Sequence, residues 1–564
     1  MSAPVLRRAR PEDLPGVVGV FWECWTGTYT GALRSRMDLE RARTLWTGFL
    51  ADPEAAPVIA TGDDGEVLGV VRFAVEEDGG GYVGSLYIRP VAHGRGLGRT
   101  LLTRALDELA AAGARRARLW VFAVNATARA FYDRLGWRPS GRTRLREEFG
   151  EPELELTVDL GSTMSPVLRE GTPEEVGLAA DRLAAVDDVV SAGLGSTPSD
   201  LYAGAVLLVA KDGVVVTHRA FGHAQTHDGT TRLDPPRPMT VDTVFDLASV
   251  TKVMATTAAV MRLVDEGRLD LDAPVRSWVP SFTGGAKDAV TPRHLLTHTA
   301  GLPEWQPVYL HAAGWEEAIA YVAGLDLGYP VGEERHYSDP GFMLLGEIVR
   351  VASGQRLDAY VPRAVHEPLG LTRTRYRPAP GDGPFAATSL GDAYERSMVE
   401  TGSPYPVLDG TVADFAGWRD HTLVGEVNDG NAAHAFGGVA GHAGLFAPAS
   451  DVATFGQLLL DGGGDGGVRL ASPEVLAEFT RDAFHRGQGL GFGTARLAAV
   501  DGPSAGGLGH GGFTGTELAV DRERGTVVVL LTNRVHPGLP YAEIGPVWTS
   551  LLRTVAAAVD GRDL

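Results

Sequence analysis

Ser249 and Lys252 stand three residues apart at the head of an apolar-periodic segment, TVFDLASVTKVMATTAAVMRLVDEGRLDLDAPV, in which Val253, Val260, Leu263 and Val264 share a face and Gly267 ends the run. That spacing puts a hydroxyl and an amine on one side of a helix. A lysine buried there loses proton affinity and can take the proton of Ser249, making the serine a nucleophile. A serine N-cap beside a snorkelling lysine would look the same in isolation. However, Lys211, Lys252 and Lys287 are the chain's three lysines, and only Lys252 has a serine three residues before it. Two further motifs follow. Tyr337-Ser-Asp339, in HYSDPGFMLLGEIVRVASG, is the one Tyr-x-Asn/Asp among fourteen tyrosines, and its phenol can relay a proton. His510-Gly511-Gly512-Phe513-Thr-Gly-Thr516 runs into a terminal hairpin, where small residues let a substrate lie along a strand edge.

Other chemistries fit less well. His294 and His298 are four apart, but HLLTH lacks the glutamate of a zinc-protease helix, and no metal is expected. No Gly-x-Ser-x-Gly elbow is present. His434 and His442 flank a Gly-rich stretch, where packing roles are as natural as a place in a cleft. Earlier in the chain, His93-Gly94-Arg95-Gly96-Leu97-Gly98 lies between a strand and a helix, a geometry whose free N–H groups and helix dipole suit a pyrophosphate. A plain tight turn would use the same residues.

These motifs fall in two blocks that meet near LTVDLGSTMSPVLREGTPEEVGL. In the first, PVIATGDDGEVLGVVRFAVEED predicts two strands turning at Asp64 and Gly65, and GYVGSLYI predicts a third. Leu101, Leu102, Ala105, Leu106 and Leu109 then mark a helix closed by Gly113. ARLWVFAV and ATARAFYDRLGW follow as strand and helix. The second block opens with a helix, AADRLAAVDDVVSAG, and a hairpin turning at Asp212 and Gly213. It closes with a hairpin turning around Arg522 to Gly525, so strands from both ends could share one antiparallel sheet against a helix-rich middle, 249–471. The expected domains are 1–160 and 174–564, with a linker over 161–173; Met164 in it would suit the start of a free-standing second domain.

At 564 residues the chain exceeds one ordinary core, and 44% hydrophobic with 22% charged residues is a globular composition. A net charge of −20 argues against nucleic acid or an anionic membrane as partner and favours small molecules. The one cysteine, Cys24, excludes an internal disulfide and reads as packed. Glu12, Asp13 and Glu23 interrupt any leader-like apolar run, so a cytoplasmic location is expected.

The stretch from Val5 to Leu160 resembles the GNAT N-acetyltransferases, on VLRRARPEDLPGV, the HGRGLG loop and VNATARAFYDRLGW. The family has Gln or Arg where His93 stands. The resemblance implies acetyl-CoA as co-substrate, held by the end of the preceding strand (Tyr87, Ile88), by His93 to Gly98 and by Asn125, with Tyr132 protonating the departing thiolate. No general base is assigned; Glu23 is a candidate from its place in the first helix, although a solvated carboxylate reads as well.

The stretch from Val167 to Val555 resembles the serine β-lactamases and penicillin-binding proteins, close to class C enzymes and related esterases and D-amino peptidases. The three motifs occur in the family's order and are joined by LLTHTAGLP and GGVAGHAGLF. The resemblance implies Ser249 as nucleophile, Lys252 and Tyr337 as acid/base pair, and His510 in the catalytic set. It also implies an oxyanion hole from the amides of Ser249 and Phe513, and substrate contacts from Asp339, Gly511 and Gly512. Two residues depart from the family: Asp339 replaces asparagine, and His510 replaces a lysine. A neutral imidazole anchors a β-lactam carboxylate poorly, which favours small esters, amides or muropeptide-like peptides.

The fold class expected is therefore α/β and α+β multidomain: an N-terminal GNAT fold and a C-terminal β-lactamase-like fold, with an antiparallel sheet flanked by helices plus a helical subdomain. The function expected is bifunctional, an acetyl-CoA-dependent acetyltransferase joined to an acyl-enzyme hydrolase. Alternatives are a Ser249-dependent acyltransferase or β-lactamase, with the first domain a CoA-binding module. Oligomeric state is not readable.

Overall fold

The computed structural model describes residues 5–29, 37–51, 57–62, 65–76, 79–93, 97–114, 116–135, 137–159, 167–195, 200–463, 469–484, 487–501, 507–536, 538 and 541–562. It divides into two compact units, Met1–Pro166 and Val167–Leu564.

In the first unit seven strands form one sheet in the order β1-β2-β3-β4-β5-β7-β6. They are β1 (Val5–Arg8), β2 (Val58–Thr61), β3 (Val67–Val75), β4 (Gly81–Ile88), β5 (Arg116–Phe122), β6 (Arg138–Arg146) and β7 (Glu151–Asp159). Side chains alternate across β3. Val70 joins the cluster formed with α1 (Leu14–Tyr29) and α2 (Leu39–Leu50), whereas Val71 and Phe73 join the cluster under α3 (Leu97–Ala111) and α4 (Ala126–Arg134). The parallel neighbours β4 and β5 pair only at Gly81–Ala117 and Tyr82–Arg118, so beyond Tyr82 they diverge and open a gap in the sheet. β6 and α2 were not foreseen. All nine residues of β6, RPSGRTRLR, are exposed, and with Leu145 the one large apolar side chain they leave no alternating apolar signal.

In the second unit β9 (Gly204–Lys211) is central. It pairs antiparallel with β10 (Val214–Asp228) on one side and with Thr526–Thr532 on the other, so the two ends of this unit do share a sheet. Thr516–Asp521 and Leu508–Gly512 continue it. The first turn forms as expected, with both Asp212 and Gly213 in the left-handed region. β10 runs on into a long arm with β11 (Thr231–Pro238). Within the expected linker, β8 (Arg169–Glu170) pairs in parallel with β10, and from its last residue on Pro173–Val176 forms a capped turn.

The alternate residues Ala205, Leu207 and Val209 pack under the helix Gly545–Asp560 through Trp548, Leu551 and Val555. Val206, Leu208 and Ala210 face the helical body. Each fully buried valine or leucine contributes about 1.5–3 kcal/mol, which fixes the register on both faces.

The helical body is pressed close where the site lies. Gly441 abuts the helix Asp339–Ser353, and a Cβ there would stand 2.0 Å from the Phe342 carbonyl oxygen. Gly441→Ala is therefore expected to cost about 1–3 kcal/mol through backbone displacement, seen as a fall of the thermal unfolding midpoint. An unchanged midpoint would show that this contact yields.

Candidate functional site

Ser249 follows the short strand Val244–Asp246 on a tight turn whose preceding residue, Ala248, holds a left-handed φ of 45°. An alanine there costs about 1–2 kcal/mol, and hydrogen bonds from several segments hold it. The Asp246 carboxylate accepts from the Ala248 amide at 2.9 Å and from the Asn428 amide at 2.6 Å. The Asp246 and Leu247 carbonyls accept from Thr514 Oγ1 (2.7 Å) and Thr516 Oγ1 (3.0 Å), which ties the serine turn to the strand edge next to Phe513. Burial lifts the Asp246 carboxyl to about 6.

Lys252 begins a widened helical turn, Lys252–Thr257, that runs into the α-helix Ala258–Asp265. Its side chain is fully buried, and its ammonium has three neighbours. Nζ donates to Ser249 Oγ at 2.9 Å and to the His442 carbonyl at 3.1 Å, and lies 2.7 Å from Asp339 Oδ1. Here the expectation of a lysine with diminished proton affinity is corrected. Burial alone would strip the proton, but the attraction of Asp339, foremost among its neighbours, offsets it and Lys252 is pushed up to about 12. The resting group is an ammonium ion. The same contact changes the reading of Asp339: its carboxylate is Lys252's counter-ion rather than a free substrate ligand.

Tyr337 is buried, and its ring lies 4.8 Å from Lys252 Nζ. Its hydroxyl is in electrostatic reach of both Lys252 and Ser249 without a well-aligned hydrogen bond to either, and burial, opposed by Lys252, raises its pKa. It rests as a neutral phenol. His298, considered above only as a metal ligand, positions this segment: its Nδ1 accepts from the Ser338 amide at 3.0 Å and its ring stacks 4.5 Å from that of Tyr337. Burial, with Arg335 and Lys252 nearby, keeps His298 neutral. Ser338 caps the helix carrying Asp339 by accepting from the Gly341 amide.

His510, in Leu508–Gly512, lies with its ring 5.9 Å from that of Tyr337, and its Nδ1 is 2.7 Å from the Gly511 carbonyl. Burial first, then Lys252, lower it to about 3, so it supplies no positive charge. Phe513 follows at the strand end, partly exposed, stacked on Tyr394 at 5.1 Å and with its carbonyl bound by Arg534 Nε at 2.6 Å. Gly511 and Gly512 are filled from behind: a Cβ would meet Glu517 at 2.8 Å and Thr516 at 2.2 Å.

Three partners had no sequence signal. Asp429 binds His442 Nε2 at 2.9 Å and so fixes the loop whose carbonyl reaches Lys252. His434 instead bonds Asp392, which Arg419 also holds. Arg335, two residues before Tyr337, gives both Nε and Nη2 to Gln488 Oε1 and has no carboxylate partner among the described residues. Among those residues no cluster of three or more His, Cys, Asp or Glu could hold a metal.

In the first unit, the gap between β4 and β5 opens into a cavity of about 1270 Å³ lined by Tyr87, Ile88, His93, Leu97, Gly98, Asn125 and Tyr132 among others. Gly94, Arg95 and Gly96 lie outside the described residues. His93 is exposed, its Nε2 2.8 Å from the Ile88 carbonyl. Leu97 is core, and Gly98 lets α3 approach Phe131, 3.4 Å from where a Cβ would sit. The amide of Asn125 is already engaged: Oδ1 caps α4 by accepting from Ala128 N, and Nδ2 donates to the Tyr29 hydroxyl at 2.7 Å. Burial raises the pKa of the partly buried Tyr87 and of the buried Tyr132, so Tyr132 keeps a proton to donate. Glu23 lies 3.4 Å from Arg89.

Comparison with known proteins agrees with this division. Residues 186–548 match the Beta-lactamase family model and residues 16–137 match that of the Acetyltransferase (GNAT) family. A protein of Escherichia coli K12 named "Putative D-alanyl-D-alanine carboxypeptidase" is 32% identical over 406 residues, covering 68% of this chain and 89% of its own. A penicillin-binding protein homologue from Caulobacter crescentus superposes with a TM-score of 0.50 at 25% identity, over 68% of this chain and 99% of its own. A family VIII carboxylesterase shares the fold, with a TM-score of 0.50 at 23% identity, over 68% of this chain and 99% of its own. The chain belongs to the β-lactamase family of serine enzymes, and it carries a GNAT acetyltransferase domain in front. Both are enzyme families.

With only three lysines in the chain, the charge state of Lys252 is directly observable. Asp339→Asn is expected to lower its pKa from about 12 by roughly 1–3 units, followed by NMR of selectively labelled lysine. No movement would mean that Asp339 does not hold the proton on Lys252.

Proposed function

We propose that the second unit hydrolyses peptides ending in a free D-amino-acid carboxylate through an acyl-enzyme on Ser249, and that the first unit acetylates an amine from acetyl-CoA. The observation that carries the hydrolase reading is the Lys252 ammonium in contact with Ser249 and Asp339 together. The name of the Escherichia coli relative supports the substrate class.

The ammonium can become a base by passing one proton to the Asp339 carboxylate, 2.7 Å away, a transfer that leaves the pair's net charge unchanged. The freed amine takes the Ser249 proton as Oγ attacks the acyl carbon, and the amides of Ser249 and Phe513 receive the oxyanion. The C–N bond then breaks, and the Tyr337 phenol protonates the departing amine. In the second half the Tyr337 phenolate, next to the Lys252 ammonium, takes a proton from water, and hydroxide attacks the ester. As Oγ leaves, it recovers its proton from Lys252, which is reprotonated by Asp339. No step needs a charge from His510. In the first unit, acetyl-CoA would supply the thioester along the gap beside β4, with Tyr132, which lines the same cavity, as the proton donor to the thiolate.

A peptide carboxylate needs a cation. Lys252 is paired and His510 neutral, and this leaves Arg335, held among the described residues by the neutral Gln488, as the anchor near Tyr337. Two experiments test the reading. A fluorophosphonate is expected to add its mass to the parent protein and not to Ser249→Ala; equal labelling of both would remove Ser249 from the mechanism. Arg335→Gln is expected to raise KM for a D-alanyl-D-alanine-terminated peptide about tenfold or more, with a neutral ester little affected. Equal loss on both substrates would deny Arg335 the anchoring role.

A further inference from the structure

Four arginines, Arg41, Arg72, Arg144 and Arg146, line the cavity of the first unit. Three meet a carboxylate: Arg41 and Arg146 share Glu148, and Arg144 pairs with Glu153. Arg72 does not. Among the described residues no carboxylate and no hydrogen-bond acceptor meets it, and its Nε is buried without a partner. Its guanidinium lies 4.2 Å from the ring centre of Phe49 and 5.9 Å from that of Tyr82. Burial lowers its pKa, as expected for a cation taken from water without an anion in return.

The placement is specific. Arg72 pairs with Ser85 at the point where the β3–β4 register slips by a bulge, and the missing side chain of Gly84 makes its room: a Cβ there would stand 2.0 Å from Nη2. It follows Val70 on the α1–α2 face of the sheet, opposite the α3 face where His93, Leu97 and Gly98 border the cavity. An acceptor amine that reaches the β4–β5 gap from the α1–α2 face therefore meets a half-buried guanidinium with no partner among the described residues. Such a group costs free energy until an anion arrives; Nε is enclosed against Gly84, and the Nη1–Nη2 end is left to receive the two oxygens of a carboxylate.

We infer that Arg72 binds the carboxylate of the acetyl acceptor, so that the first unit acts on amines that also carry a carboxylate, as free amino acids and short peptides do. The inference rests on the acetyltransferase reading of this unit. It gives the two units a chemical connection, because the hydrolysis proposed above releases a molecule with one amine and one carboxylate.

The test uses the full chain. Acetyl-CoA binding is measured by calorimetry and thiol release is followed with amino acids and dipeptides, each as free acid and as C-terminal amide, alongside 2-aminoethyl phosphate. The expected result is a preference for the acids of at least tenfold in kcat/KM. Arg72→Met, which keeps an apolar stem against Phe49, is expected to erase that preference chiefly through KM. Arg72→Lys should restore part of it, and both variants should keep acetyl-CoA affinity, which also certifies their fold. Arg104→Gln, an exposed residue of α3, should change nothing. Intact acetyl-CoA binding with acids and amides used equally, with no amine acetylated, or with the phosphate preferred would overturn the inference. Loss of acetyl-CoA binding in the parent protein would overturn the acetyltransferase reading and the inference with it.

Discussion

The second unit depends on one buried ammonium ion. Lys252 is fully enclosed, and an enclosed cation persists only if acceptors surround it. Those acceptors come from three separate stretches: the hydroxyl of Ser249 one turn before it, the carboxylate of Asp339 at the start of another helix, and the carbonyl of His442 in a glycine-rich loop. Removing one partner of such a pair typically costs about 3–5 kcal/mol. The stretches must therefore arrive together, and much of the helical body serves to bring them there. His298 holds Ser338, Asp429 holds His442, and Asp246 holds the serine turn.

The substitution of aspartate for asparagine in the second motif sets the electrostatics. With a carboxylate at 339 the pair is closed on itself, and the neighbouring His510 stays neutral because it is buried beside the ammonium. The charge left open in this part of the cleft belongs to Arg335, whose only hydrogen-bond partner among the described residues is the neutral Gln488. The first unit repeats the pattern on its own terms. Three of its cavity arginines meet a carboxylate, two of them sharing Glu148, and Arg72 meets none among the described residues.

Much of this was legible in the sequence, and the reasons for the rest are physical. Ser249, Lys252 and Tyr337 meet as their motifs implied, because short-range spacing and motif order carry that information. The hairpins at Asp212–Gly213 and Arg522–Gly525 were legible from turn residues between β-branched runs. The protonation state of Lys252 was not, because it depends on the distance to Asp339, 87 positions later in the chain. Asn125 could be read only as a cofactor contact, since its cap to Ala128 and its bond to Tyr29 depend on α1 folding across it. The β6 strand is all exposed and carries no periodicity to find. Arg72 lies inside an apolar strand where an arginine passes for a surface residue, and only the closed geometry around Gly84 shows otherwise.

The central position of β9 sets an order of assembly. One of its edges is satisfied by β10, which follows after two residues, but the other waits for Thr526–Thr532, more than three hundred residues later. Loop closure over that span is slow, and an unpaired strand edge is exposed meanwhile. The sheet of the first unit, by contrast, is complete at β7 (Glu151–Asp159). During synthesis the acetyltransferase unit can thus mature while its companion is still emerging from the ribosome. The serine turn, braced by Thr514 and Thr516, gains that support only after some 260 further residues have been made.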